Sequence, residues 1–202
     1  MLRITLCIAI LTFFSDLQAQ DTLLLLNGKS LIVNITDDSG ANVFFDVTKK
    51  NGKSRSMDLH KTELFSITKE GEGESILYVQ DPDFGYDLSV EDMRFYMAGQ
   101  NDARMGYSAL PSSAGGFVFG MASVFYFEGG YVPFMTPFAY APMMQIPYIK
   151  IRERSVTDPA YELSDYYIEG YNKTARSKKL LQNFAGTIAG VIVGSVIWEA
   201  TQ

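Results

Sequence analysis

Leu180-Leu-Gln-Asn-Phe-Ala-Gly-Thr-Ile-Ala-Gly-Val-Ile-Val-Gly-Ser-Val-Ile-Trp198 is an uncharged run in which Gly186, Gly190 and Gly194 recur every fourth residue. At 3.6 residues per turn the three glycines share one face of a helix. A face without side chains lets a second helix approach closely, and in lipid such packing takes the place of the missing hydrophobic drive. The run therefore reads as a membrane helix, segment 180–198, with Gly186, Gly190 and Gly194 as packing positions.

Upstream lies a second apolar segment, residues 110–132, in which Ser112, Gly116 and Gly120 repeat the small-residue spacing. A helix from Leu110 to Phe127 would be about 27 Å long at 1.5 Å per residue, close to the roughly 30 Å hydrocarbon core. Between Arg104 and Lys150 the one formal charge is Glu128, but Pro133, Pro137, Pro142 and Pro147 forbid a regular helix through the later part. Residues 129–149, rich in Tyr, Phe, Met and Pro, are expected to be re-entrant or interfacial.

Each apolar segment follows a related motif. Phe95-Tyr-Met-Ala-Gly-Gln-Asn-Asp-Ala-Arg104 is echoed by Tyr166-Tyr-Ile-Glu-Gly-Tyr-Asn-Lys-Thr-Ala-Arg176, with one residue inserted before Ala-Arg. Each unit is expected to be an aromatic-faced polar helix feeding a small-residue membrane helix. Gly99, Asp102, Ala103, Arg104 and Tyr107 in the first copy are candidate membrane-interface positions. Tyr167, Gly170, Tyr171, Ala175, Arg176, Lys178 and Lys179 are their counterparts in the second. The arginines read as structural anchors, able to hold lipid phosphate or pair with Asp102 or Glu169. The tyrosines read as an interfacial belt or as packing between helices.

The N-terminal half has a different grammar. Thr22–Leu26, Ser30–Ile35, Asn42–Val47, Ser56–Leu59, Leu64–Thr68 and Ser75–Val79 are short apolar runs. Asn27-Gly28, Asp37-Asp38-Ser39-Gly40, Lys50-Asn51-Gly52 and Gly71-Glu72-Gly73 separate them with turn chemistry. Six strands in about sixty residues predict a small β barrel over residues 20–80. The order of strand, Asn27-Gly28 and strand, followed by Leu64-Phe65-Ser66-Ile67, resembles SH3-like or Sm-like barrels, a likeness of shape that carries no function. The fold expected for the whole chain is α+β, a small barrel followed by a helical, glycine-rich, membrane-associated module over residues 89–202.

Arg3, the apolar stretch Ile4 to Phe14 and Leu17-Gln18-Ala19 before Gln20 have the pattern of a signal peptide over residues 1–19. Its removal would take away Cys7, the single cysteine of the 202-residue chain, leaving neither a disulfide framework nor a thiolate. The net charge of −6 and pI near 4.8 oppose nucleic-acid binding. Lys150, Arg152, Arg154, Lys173, Arg176, Lys178 and Lys179 would place the loop before the last helix in the cytoplasm if the membrane is the inner one, with both termini periplasmic.

Residues 81–88 read as an acidic linker. Asp81, Asp83 and Asp87 match a calcium loop only in part, since Gly85, Tyr86 and Asp92 stand where a ligand, a glycine and a bidentate Glu are needed. Ser89 with Asp92 three residues on is a capping-box pattern that opens the next helix. His60 ends a strand, and Glu70, Glu72 and Glu74 alternate with neighbours on a glycine-rich loop, so no catalytic constellation is expected and no cofactor is implied.

Gly99-Gln-Asn-Asp-Ala103 with Tyr107, and Tyr167-Ile-Glu-Gly-Tyr171 with Ala175, Lys178 and Lys179, resemble the Gly-Gln-x-Asp-Ala and Tyr-x-x-Gly-Tyr-x-x-x-Ala-x-x-Lys-Lys motifs of a group of uncharacterised exported bacterial proteins. The likeness spans residues 95–198 and implies export and a glycine-rich final helix, with no activity attached. By small-residue spacing alone the chain also resembles the glycine-zipper proteins of bacterial envelopes. The function expected is a structural or adaptor role in an envelope membrane. Its partners would be membrane lipid and either a second copy of the chain or an envelope protein. The alternative is a soluble periplasmic module that binds a lipid or other apolar ligand.

Overall fold

The computed structural model describes residues 21–48, 52–146 and 148–202. The expected signal peptide, with Cys7, lies outside them. The fold is α+β: one six-stranded antiparallel sheet, then four α-helices. The chain divides into two compact units between Val79 and Gln80.

All six expected strands form: β1 (Asp21–Leu25), β2 (Ser30–Asp37), β3 (Asn42–Thr48), β4 (Ser54–His60), β5 (Leu64–Thr68) and β6 (Glu74–Ile76), in sheet order β4-β3-β2-β1-β5-β6. Gly28, Gly52 and Gly71 take φ of 74°, 76° and 73°, the left-handed conformation that makes glycine the cheap choice at these turns. Leu23, Val33, Val43, Phe45, Leu64 and Ile67, from four strands, meet in one buried cluster. A sheet whose own strands supply both sides of a core must curl around it. Among the described residues no pairing joins β4 to β6, so the two edges stay separate.

Leu64 and Ile67 are three residues apart, and simple alternation would send them to opposite faces. The ladder skips Phe65: Leu24 pairs with Ser66 and Leu25 with Leu64. This bulge re-aims the strand so that both side chains reach the core. The Phe65 carbonyl accepts from the amides of Leu77 and Tyr78, and its ring stacks on Tyr78 at 5.7 Å.

The acidic stretch after Val79 forms a closed turn in the second unit. Asp81 and Tyr86 exchange backbone hydrogen bonds of 3.0 and 2.9 Å around a 3-10 turn at Pro82–Phe84, with Gly85 at φ 81°. Helix α1 (Val90–Gly106) then opens at Ser89, whose hydroxyl accepts from the Asp92 amide at 3.2 Å and donates to the Asp92 carboxylate at 2.6 Å.

After a break of three residues bent by 55°, the chain continues as α2 (Leu110–Tyr126) with Pro111 in its first turn. Glu128 at φ 51° and Gly129 at φ 74° reverse it. A 3-10 turn (Val132–Met135) and α3 (Thr136–Met143) bring it back, so that the Tyr140 hydroxyl donates to the Ser112 carbonyl at 2.7 Å. Short 3-10 turns at Glu153–Ser155 and Pro159–Leu163 lead into α4 (Asp165–Ala200), 36 residues long.

The first half of α4 lies against α1 and the second half against α2. Lys178 donates to the Arg104 carbonyl (2.7 Å), Gln182 accepts from the Ala109 amide (2.8 Å), and the Trp198 ring meets Phe125 at 5.9 Å. Residue numbers rise together on both sides, so α4 runs parallel to α1 and α2 rather than antiparallel.

Candidate membrane-facing site

The two sequence motifs are the two sides of one interface. A methyl group on Gly99 would strike the Tyr167 carbonyl, and one on Gly170 would strike the Tyr96 carbonyl. Each glycine thus faces the residue three positions before the other, as a local two-fold relation between parallel helices requires. Tyr167 and Tyr171 are buried with Ala103 and Ala175 in one cluster. Of the two roles expected for these tyrosines, packing between helices is the one formed. Lys179 is buried as well, whereas Arg176 is exposed.

Asp102 anchors this cluster. Its carboxylate accepts from the Thr157 amide (2.8 Å), the Thr157 hydroxyl (2.6 Å) and the Tyr167 hydroxyl (2.8 Å). The Tyr171 hydroxyl meets Ser155 Oγ at 2.9 Å, and a methyl on Gly106 would run into that same serine. Thr157 and Ser155 lie in a stretch without periodicity, and nothing in the sequence marks them as partners. The bond from Lys178 to Arg104 satisfies a carbonyl at the end of α1 that has no partner further along its own helix.

The same reciprocity continues down α2 and α4. A methyl on Gly186 would strike the Ser113 carbonyl, and one on Gly190 the Phe117 carbonyl. In return, a methyl on Gly120 would strike the Thr187 carbonyl, and one on Gly116 would lie 2.7 Å from the Thr187 hydroxyl. Gly194 is looser, with its nearest neighbour, the Met121 carbonyl, at 3.0 Å. All five packing glycines are therefore used inside one chain.

A polar seam runs beside them. Asn183 and Thr187 are fully buried; Ser112 donates to the Asn183 side chain at 2.8 Å, and Thr187 to the Asn183 carbonyl at 2.8 Å. Asn183, Thr187, Val191 and Gly194 follow the three-to-four spacing of the buried stripe. Two polar residues on the glycine face of an apolar run are the sequence signal for this seam.

Outside, the pattern inverts. Ile188, Ile192 and Val196 are exposed on α4, Val118 and Phe119 on α2, and Met135 and Phe138 beside and on α3, with Phe119 stacked on Tyr140 and Phe138 edge-on to Phe184. By length and composition α4 is able to cross a membrane. Tyr126 and Tyr131, 80% and 92% exposed, stand at the far end with Glu128 and Glu199. At the near end Tyr148 is 98% exposed, and Lys150, Arg152, Arg154, Lys173 and Arg176 are exposed around the start of the apolar run.

The helix directions differ from those that the charge pattern implies. That expectation put residues 150–179 on the opposite side from the start of the first apolar helix. Instead α3 returns the chain, α4 runs parallel to α2, and residues 150–179 share the end occupied by α1. The first apolar helix, expected from Leu110 to Phe127, runs Leu110–Tyr126.

The remaining candidates are dispersed. Among the described residues no cluster of His, Cys, Asp or Glu is arranged to hold a metal ion, and Asp81, Asp83 and Asp87 form no such group. His60 caps the 3-10 turn at Lys61–Glu63, its Nδ1 2.7 Å from the Thr62 hydroxyl. A pocket in the sheet unit is lined by Asp38, Lys61, Lys69 and Glu72, with Lys69 paired to Asp38 at 2.8 Å. No protein family, curated protein or solved structure matches the chain.

Proposed function

We propose that the protein is an exported cell-envelope membrane protein with a structural or adaptor role. Its helical unit inserts through α2, α3 and α4, and its sheet unit stays in the periplasm. The observation that carries this reading is the inversion around the helices, with glycines and a polar seam inside and an uncharged apolar shell outside. A soluble monomer rarely leaves more than a few hundred Å² of contiguous apolar surface exposed. Interior polarity with exterior apolarity suits lipid, where seams of small and polar residues hold helices together.

Aromatic side chains at both ends of the apolar shell support the same reading, because tyrosine and tryptophan favour the two interfaces. The glycine-faced helices act as an internal clasp, a glycine zipper closed within one chain. The sheet unit supports the adaptor role: Ile32 and Phe44 are exposed, and among the described residues β4 is an edge strand, the kind that accepts a further strand.

Alkaline carbonate extraction of envelopes from the native host tests the proposal. Retention of the chain in the membrane pellet is the expected result, and separation of the two membranes then identifies which one holds it. Release into the supernatant would overturn insertion and favour the soluble module binding an apolar ligand.

A further inference from the structure

We infer that the exposed cations around the near end of the helical unit form a binding surface for the phosphate headgroups of anionic lipids. This rests on the proposed insertion of the helices. Arg152 and Arg154 flank and occupy a 3-10 turn fixed by Ser155, which lies against Gly106 and meets the Tyr171 hydroxyl at 2.9 Å. Gly106 is four residues before Leu110, where the apolar helix α2 begins. Arg176 is likewise four residues before Leu180, where the uncharged run of α4 begins.

Gly106 lies just before the bent three-residue break that leads into α2, and Arg176 lies one helical turn outside the apolar run, or about 6 Å at 1.5 Å per residue. That is headgroup depth, since the polar layers add roughly 5–8 Å on each side of the hydrocarbon core. Lys150 and Lys173, also exposed, add to the same end. The opposite end has Glu128 and Glu199, with no Lys or Arg after Lys179. The near end also has the exposed carboxylates Glu153, Asp165 and Glu169, so the groups suited to the headgroups are the guanidinium forks of Arg152, Arg154 and Arg176, which match phosphate oxygens in pairs.

The test is flotation of the full chain with vesicles of phosphatidylcholine, alone or mixed with phosphatidylglycerol. The expected result is association with both and a preference for the anionic vesicles on the order of tenfold or more, because each cation near an anionic surface contributes about fivefold. Raising the salt should shrink the preference without releasing the protein from phosphatidylcholine. The triple variant Arg152→Glu, Arg154→Glu, Arg176→Glu should lose the preference and keep the basal association. The corresponding Gln variant provides the same comparison if charge reversal prevents folding.

Equal association of the native chain with both vesicle types would overturn the headgroup surface and leave insertion standing. Association with neither would overturn insertion itself. A preference that survives in a folded triple variant would also overturn the assignment. Displacement by inorganic phosphate, but not by chloride at the same ionic strength, would make the surface a site for free anions and overturn its lipid source.

Discussion

Gly99 and Gly170 face one another across α1 and α4 so that each occupies the space beside the carbonyl three residues before the other, Tyr167 and Tyr96. The relation recurs at Gly120 and Gly190, whose opposing carbonyls belong to Thr187 and Phe117. One repeat packed in parallel on its own second copy generates both. The helical unit thus has the interface of a parallel helix dimer, built into one chain.

The spacing ranks alanine substitutions at these glycines. In a helix, Gly→Ala is worth about 1 kcal/mol of added helix propensity. Against this, a methyl at Gly170 or Gly190 meets backbone oxygen, which yields only if the helices separate, and overpacking of this kind costs about 1–3 kcal/mol or more. Net destabilisation is therefore expected for Gly170→Ala and Gly190→Ala. Gly194→Ala, whose nearest contacts are 3.0–3.1 Å, should be close to neutral. Thermal unfolding of the purified chain in detergent measures the order, and equal effects at all three sites would contradict it.

How much of this was legible follows from what each signal encodes. The strands were readable because Gly28, Gly52 and Gly71 mark their turns, whereas the bulge at Phe65 arises from pairing partners and leaves no local trace. Glycine spacing revealed the packing face. The direction of packing is set by contact between the two motif copies. Asp102 stood out as part of a motif, but Thr157, 55 residues later, did not. The charge pattern implies antiparallel apolar helices, whereas α3 returns the chain so that α4 runs parallel to α2.

Asp102 offers three acceptor contacts to three donors, and this determines the effect of an amide. Asp102→Asn keeps one oxygen for the Thr157 amide and the Tyr167 hydroxyl and can donate to the Thr157 hydroxyl, but it loses the charge-assisted character of all three contacts, worth about 1–3 kcal/mol. Tyr167→Phe removes one donor and should cost less, about 1 kcal/mol. Hydrogen exchange at the Thr157 amide should speed up strongly in Asp102→Asn and weakly in Tyr167→Phe. Unchanged protection in Asp102→Asn would show that another contact holds this segment.

In the sheet unit, the Ser39 amide and then its hydroxyl, at 2.9 and 2.8 Å from Asp37 Oδ1, hold the Asp37 carboxyl below its ordinary value of 3.8. A carboxyl with a depressed folded-state pKa adds stability above its unfolded pKa, and that contribution is lost as pH falls through the folded value. Ser39→Ala removes the hydroxyl and leaves the amide, so Asp37 should titrate part of the way back toward the ordinary value. NMR titration of the Asp37 carboxyl carbon reads this directly, and an identical curve in the variant would exclude the hydroxyl as a cause.

Crossing by α4 makes a sidedness prediction. If α4 crosses the membrane, residues 150–164 remain on the side where it starts and Thr201 emerges on the other. Cys7 is the single native cysteine, so Cys7→Ser supplies a background in which Ala160→Cys and Thr201→Cys can be labelled one at a time. A membrane-impermeant maleimide applied to sealed vesicles should reach one of the two positions before lysis and the other only after it. Labelling of both from one side would mean that α4 lies along the surface instead of crossing.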